Sequence, residues 1–72
     1  MEEKLKKIMA ETFKLDENAI NEETKMSKVE SWGSLSHLQL IAALEEAFGM
    51  EIDMDDMLAM TGYKEILEIL KK

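Results

Sequence analysis

The segment from residue 34 to residue 48 is apolar on most of its sides when it is arranged as a helix, and this constrains the fold of the whole chain. A helix with so wide an apolar surface is contacted by other elements on most sides, so we expect it to be the central helix. Gly49 follows it and is the residue type that most often ends a helix. The narrow strip left polar or small consists of Ser36, Gln39, Ala43 and Glu46. The apolar positions are Leu35, Leu38, Leu40, Ile41, Ala42, Leu44, Ala47 and Phe48.

Shorter segments on either side predict three further helices. The first spans residues 3 to 13, where apolar residues recur at the spacing of one helix face. Asp55 to Met60 predicts a short third helix, with acidic residues in its first turn, where the helix dipole favours them. This helix follows a connector from Met50 to Asp53. Thr61 is a preferred N-cap residue for a last helix that ends at Leu70.

Residues 14 to 33 show no sustained hydrophobic period and predict a long first loop. Loops of this length are uncommon in compact domains, so we expect scattered apolar side chains to hold it against the core, with one short turn around Asp16 to Ile20. No strand is predicted. The expected fold is therefore all-α, a small four-helix bundle with a long first loop and a short third helix, in one domain over residues 1–72. The scattered apolar residues are Leu15, Ile20, Met26, Val29 and Trp32.

Length and residue types exclude several classes of protein. The chain has 72 residues, no cysteine and a single histidine, His37. It is too short for a substrate domain beside a cofactor domain. Disulfides and thiolate metal sites are excluded, and one imidazole argues against a histidine metal centre. We also expect no membrane insertion and no signal peptide, which fits a cytoplasmic protein.

The net formal charge of −7 is concentrated in the middle of the chain. Between Val29 and Tyr63 there is no Lys or Arg, whereas nine acids balance nine lysines elsewhere. Such a surface repels nucleic acid and anionic membranes and attracts basic protein surfaces. An acidic surface that only keeps the protein soluble is an equally open interpretation. The acids of this base-free segment are Glu30, Glu45, Glu46, Glu51, Asp53, Asp55 and Asp56.

Ser34 begins the central helix directly after the loop, and two ordinary roles compete for it. A hydrolase nucleophile with His37 as its base is disfavoured, because the strand and second glycine of a nucleophile elbow are missing. His37 is instead expected to be a partly exposed helix residue. Serine is also a preferred N-cap residue, so Ser34 taken alone is better explained as a helix cap. Asp55 and Asp56 match ordinary first-turn acids rather than a calcium loop.

In combination, these features resemble the acyl carrier protein family. The resemblance rests on Ser34-Leu35 opening an apolar helix and on the run from Ala43 to Gly49 closing it. Glu51-Ile52-Asp53 before a short third helix and Thr61 before the fourth fit as well. The resemblance covers essentially the whole chain and is strongest from Trp32 to Thr61. It implies a small four-helix bundle with a short third helix.

The resemblance implies that Ser34 receives 4′-phosphopantetheine from a phosphopantetheinyl transferase. The thiol of that arm carries acyl groups as thioesters, so the chain would be a shuttle and not an enzyme. It would be a monomer that serves acyl-activating or acyl-transferring enzymes of fatty-acid, polyketide or related specialised biosynthesis. Basic patches on these partners would dock on or near Gly33, Leu35, Gln39, Glu45, Glu46, Asp55 and Asp56. Family members also hold the acyl chain between the helices. The residues placed to line such a cavity are Leu44, Phe48, Ile52, Met57 and Met60. For the two methionines, plain core packing is an alternative that stays open.

Two positions depart from the family pattern. Gly33 stands where the family normally has Asp immediately before the modified serine, and Gln39 stands where fatty-acid carriers often have Glu. The family aspartate helps recognition by the transferase, so Gly33 bears directly on whether Ser34 is modified. The alternative function is a carrier-like helical interaction module that works unmodified through its acidic face.

Overall fold

Four α-helices and two short 3₁₀-helical turns make up the fold in a computed structural model that describes residues 2–71. No β-strand occurs within that range, and the predicted four-helix architecture with a long first loop and a short third helix is confirmed. Both 3₁₀ turns, Glu17–Ala19 and Met26–Lys28, lie in the long loop. The helices are α1 (Glu2–Phe13), α2 (Ser34–Phe48), α3 (Met54–Ala59) and α4 (Tyr63–Leu70).

One hydrophobic core lies between the helices, and α1 packs along α2. The start of α1 lies beside the end of α2. There the Lys4 ammonium donates to the Ala47 carbonyl at 2.6 Å and lies 4.9 Å from the centre of the Phe48 ring. Apolar side chains of α1, α2 and α4 leave water together, which is the main stabilising contribution to a small domain. The fully buried side chains include Leu5, Met9, Phe13, Leu40, Leu44, Met60, Tyr63 and Ile66.

The long loop is held against this core, as its scattered apolar residues predict. Ile20 and Trp32 are buried, and the first 3₁₀ turn is capped by Asp16, whose carboxylate accepts from the Asn18 amide at 2.9 Å. The second turn, Met26–Lys28, is not predicted from the sequence. It follows a two-residue bridge in which the loop pairs with the start of α4. The Met26 amide donates to the Thr61 carbonyl at 2.8 Å, and the Tyr63 amide donates to the Thr24 carbonyl at 2.9 Å.

This bridge moves the start of the last helix. Gly62, and not Thr61, is the N-cap residue of α4. Thr61 does not cap because the backbone on either side of Gly62 is paired with the loop. Gly62 is extended there, and a Cβ atom added to it would lie 3.1 Å from the Thr24 carbonyl oxygen. The third helix is likewise displaced by one residue from its predicted range, since Asp53 is its N-cap residue and Met60 its C-cap residue.

The central helix is less completely covered than its apolar pattern predicts. Its C-terminal part is packed, but Leu35 and Leu38 near its start are 71% and 54% exposed. The expectation that neighbours contact α2 on most sides is therefore wrong for its first two turns. Leu38 borders an open groove between α2 and the six-residue α3, so this side of the helix is left uncovered. The exposed side of α2 comprises Leu35, Leu38, Gln39, Ala42 and Glu46.

Candidate functional site

Ser34 is the first helical residue of α2, and it does not cap the helix. Gly33 occupies the N-cap position with an extended backbone. The reciprocal contact of a capping box comes from Ser36, whose hydroxyl accepts from the Gly33 amide at 2.8 Å and donates to the Ser31 carbonyl at 2.6 Å. The interpretation of Ser34 as only a cap is therefore wrong. Its side chain is exposed and has no hydrogen-bond partner among residues 2–71.

The position of Ser34 suits a hydroxyl that carries a negatively charged group. The first backbone amides of a helix have no partner within the helix, and the helix dipole makes this end positive. The first turn of α2 contains no acidic residue, so no carboxylate of that turn already interacts with this positive end. A phosphate ester on Ser34 would therefore lie where backbone amides and dipole both favour an anion.

His37, one turn after Ser34, is a structural residue and not a base. It is buried, at 9% exposure, so its prediction as a partly exposed helix residue is wrong. The Trp32 indole nitrogen lies 3.0 Å from Nδ1, and the Met57 carbonyl oxygen lies 2.8 Å from Nε2. Because an indole only donates and a carbonyl only accepts, Nδ1 is the acceptor and Nε2 carries the hydrogen. Both ring nitrogens are thus occupied and neither serves Ser34.

Trp32 belongs to the same arrangement. Its ring stacks on Phe13 with centroids 4.6 Å apart, which fixes the last loop residues against the end of α1. The sequence marks Trp32 only as an apolar residue of the long loop and does not predict its pairing with His37. Trp32 and His37 are five residues apart and lie on either side of the boundary between the loop and α2, so no helical period relates them. The only sign of the pairing in the sequence is an indole, which can only donate, close to the single imidazole.

An open apolar groove of about 290 Å³ lies beside Ser34, between the start of α2 and α3. Of the five residues predicted to line an acyl cavity, only Met57 borders it. Leu44 and Met60 are fully buried in the core, while Phe48 and Ile52 pack against it. The groove is lined by Met26, Ser34, His37, Leu38, Met57, Leu58 and Thr61.

The residues predicted for partner docking fall into two groups. The first group is exposed and consists of three residues on α2 and one on α3, namely Leu35, Gln39, Glu46 and Asp55. Glu45 is half-buried, and its carboxylate accepts from the Ile52 amide at 2.9 Å, so it is engaged within the fold. Asp56 is half-buried in the first turn of α3, where its amide donates to the Asp53 carboxylate at 2.8 Å. Gly33 is exposed.

Four large apolar side chains near the groove are also exposed, and only Leu35 among them is a predicted docking residue. Leu35 and Leu38 lie one turn apart on α2, and Met54 and Leu58 lie one turn apart on α3. Met54 and Leu58 are 70% and 64% exposed. Leu38 and Leu58 both border the groove, so the two pairs meet there. We call these four residues the apolar patch.

Comparison with known proteins finds a family profile and curated relatives that match the chain. A family profile described as "Phosphopantetheine attachment site" matches residues 3–70. A protein of Buchnera aphidicola subsp. Baizongia pistaciae (strain Bp) named "Acyl carrier protein" is 35% identical over 72 residues, which covers 100% of this chain and 92% of the relative. None of the helices described between residues 2 and 71 combines the length and the apolar character that a membrane span requires. The same residues include no cluster of three or more His, Asp or Glu side chains that could hold a metal ion.

Proposed function

Because the chain belongs to the acyl carrier protein family, whose members bear covalently attached 4′-phosphopantetheine and are carriers rather than enzymes, we propose that it carries acyl groups on an arm attached to Ser34. The observation that carries this proposal is the exposed Ser34 hydroxyl, unpartnered within residues 2–71, at the first turn of α2. A transferring enzyme can reach this hydroxyl without breaking a bond of the fold. The arm supplies the thiol that the cysteine-free chain lacks.

The surroundings of Ser34 fit the attached group. A phosphodiester at this position would be stabilised by the free amides and positive dipole of the α2 N-terminus. The apolar groove between α2 and α3 offers Leu38, Met57 and Leu58 to an apolar segment next to Ser34. Methionine side chains adapt to ligands of varying shape at low cost, which suits a carrier of different acyl chains.

We also propose the surface on which partners dock. A partner that approaches Ser34 over the groove meets the apolar patch, since Leu38 and Leu58 border the groove with Ser34. The base-free segment adds exposed acids such as Glu46 on α2 and Asp55 on α3. This combination fits a partner with an apolar surface surrounded by Lys and Arg. A phosphopantetheinyl transferase and acyl-handling enzymes of fatty-acid, polyketide or related biosynthesis are the partners that the proposed cargo requires.

The attachment is tested by intact mass after incubation with coenzyme A and a broad-specificity phosphopantetheinyl transferase. We expect one added phosphopantetheine on the natural chain and none on Ser34→Ala. Ser27→Ala is the matched control, because Ser27 is also exposed but lies in the second 3₁₀ turn. Modification that survives Ser34→Ala would place the arm elsewhere and contradict the proposal.

A second function is favoured by one residue. Gly33 stands where the family normally has Asp, and it contributes no carboxylate to recognition by a transferase. The second candidate is therefore an unmodified helical module that binds partners through the same acidic surface. This function predicts no added mass on the folded, unsubstituted chain, even with excess transferase. It also predicts that Ser34→Ala does not change binding to a basic partner.

A further inference from the structure

His37 joins three separate parts of the molecule at the Ser34 end. It lies on α2, accepts a hydrogen bond from Trp32 of the long loop, and donates one to the Met57 carbonyl of α3. The indole and the imidazole are both buried. A buried polar group that loses its partner carries a large desolvation cost, so each of these bonds resists separation of the parts it joins.

The two bonds also lie at the groove. His37 and Met57 both line it, and Ser34 lies one turn before His37 on the same helix. The bond from Nε2 to the Met57 carbonyl therefore spans the gap between α2 and α3 where the groove opens. It links the two helices directly at this point.

We propose that His37 is a positioning residue that fixes Trp32 and α3 against the first turns of α2 and so sets the width of the groove beside Ser34. An apolar residue of similar size would fill the same volume but hold neither partner. α3 would then move away from α2 independently of the rest of the fold. That the groove receives a group carried on Ser34 rests on the proposed function, whereas the bridging by His37 does not.

The bridge is tested on the unmodified chain by amide hydrogen exchange and ¹⁵N NMR. In His37→Leu we expect the Met57 and Leu58 amides of α3 to exchange about fivefold faster than in the unsubstituted chain, when both are compared with the Leu5 and Met9 amides of α1. A factor of about five is what the loss of one typical hydrogen bond produces. Ile66→Val is the control, because it removes a buried methylene from α4 and destabilises the fold without touching the bridge. It should accelerate both sets of amides equally.

A spectroscopic signature separates this role from simple packing. The His37 ¹⁵N signals of the natural chain should be those of the Nε2-protonated tautomer, and the Trp32 indole proton should exchange slowly. His37→Gln keeps one acceptor and one donor, so we expect it to recover part of the α3 protection that His37→Leu loses. Equal acceleration of α1 and α3 in His37→Leu, or the Nδ1-protonated tautomer, would overturn the proposal.

The connection to Ser34 is tested on chain primed with a butyryl-phosphopantetheine arm. Priming should shift the Met57 and Leu58 side-chain NMR signals in the natural chain, and His37→Leu should reduce these shifts at least twofold. Identical shifts in both chains would show that His37 does not set the groove. If the natural chain accepts no arm, the proposed function fails, while the exchange experiment on unmodified protein still decides the bridge.

Discussion

The carboxylate of Glu45, in the last turn of α2, accepts a hydrogen bond at 2.9 Å from the backbone amide of Ile52, in the connector to α3. The backbone carbonyl of the same residue accepts from the amides of Gly49 and Met50. Glu45 thus ends the helix with its backbone and holds the next segment with its side chain. This explains an acidic residue among the apolar positions of α2.

Glu45→Ala should lower the free energy of unfolding by about 1–2 kcal/mol, because the Ile52 amide loses a charged acceptor. Urea unfolding followed by circular dichroism measures the change. Glu46→Ala, at the next and exposed position, should change stability by less than about 0.5 kcal/mol. Equal effects of the two substitutions would mean that the Glu45 contact contributes nothing to stability.

Gly33→Asp should stabilise the chain and speed its modification. No atom lies within 4 Å of a Cβ added at Gly33, and its backbone, at φ −108°, is open to any residue. An aspartate there is a better N-cap than glycine, and its negative charge interacts favourably with the helix dipole. It also reduces the conformational entropy of the unfolded chain. We expect a gain of about 0.5–1 kcal/mol, or about 4 °C in Tm, together with faster transfer from coenzyme A.

Gly33→Ala is the control for this substitution, because it adds a side chain without a carboxylate. Alanine is a poor N-cap residue, so it should not raise the Tm. If alanine stabilises the chain as much as aspartate, the gain comes from the backbone alone. In that case the carboxylate has no role in capping α2.

Tyr63 should make stability depend on pH in the alkaline range. Burial, and then the nearby Glu2 carboxylate, which accepts from the phenol at 3.3 Å, raise the Tyr63 pKa above its ordinary value of 10.0. The folded chain therefore keeps this proton to higher pH than the unfolded chain. The contribution is complete below about pH 10 and is lost as pH rises through the folded pKa.

This prediction is specific because Tyr63 is the only tyrosine of the chain. Its tyrosinate absorbance should titrate above 10.0 in the folded protein. The Tyr63→Phe variant, which lacks only the ionisable phenol, serves as the reference for the stability measurement. A tyrosinate midpoint at or below the ordinary value would contradict the predicted pKa.

Docking should have an electrostatic and an apolar component that respond differently to salt. Glu46→Lys should weaken binding to a basic transferase more at low than at high ionic strength, because salt screens exposed charges. Leu35→Ser should weaken binding by about tenfold at both, since it removes apolar area from the interface. Equilibrium titrations at two salt concentrations separate the components. Glu11→Lys, exposed on α1 outside the base-free segment, should have little effect.

The parts of the fold that follow from local pattern could be predicted. The bounds of α2 could be read because Ser34 follows a glycine and Gly49, at φ 60°, ends the helix in the left-handed conformation. The start of α4 could not, because Gly62 pairs with Lys25, which is distant in the chain. A Thr in a good N-cap context gives no sign of such a pairing.

The candidate site was predictable in type and not in detail. The position of Ser34 at the start of α2 and the acidic segment follow from residue order and charge, whereas the attachment role of Ser34 rests on the resemblance to the carrier family. The exposure of Leu38 depends on which side of α2 the other elements leave open, and the burial of His37 depends on a tryptophan in the preceding loop. Both are properties of the packed molecule, which no helical or strand period encodes.

Trp32 also gives the protein an intrinsic optical reporter. It is the only tryptophan of the chain, it lies two residues before Ser34, and its indole is stacked on Phe13 and bonded to His37. The emission of an indole depends on the polarity and hydrogen bonding around it. Fluorescence of the unlabelled chain can therefore follow events at the start of α2 in real time, with Ser34→Ala as the silent reference.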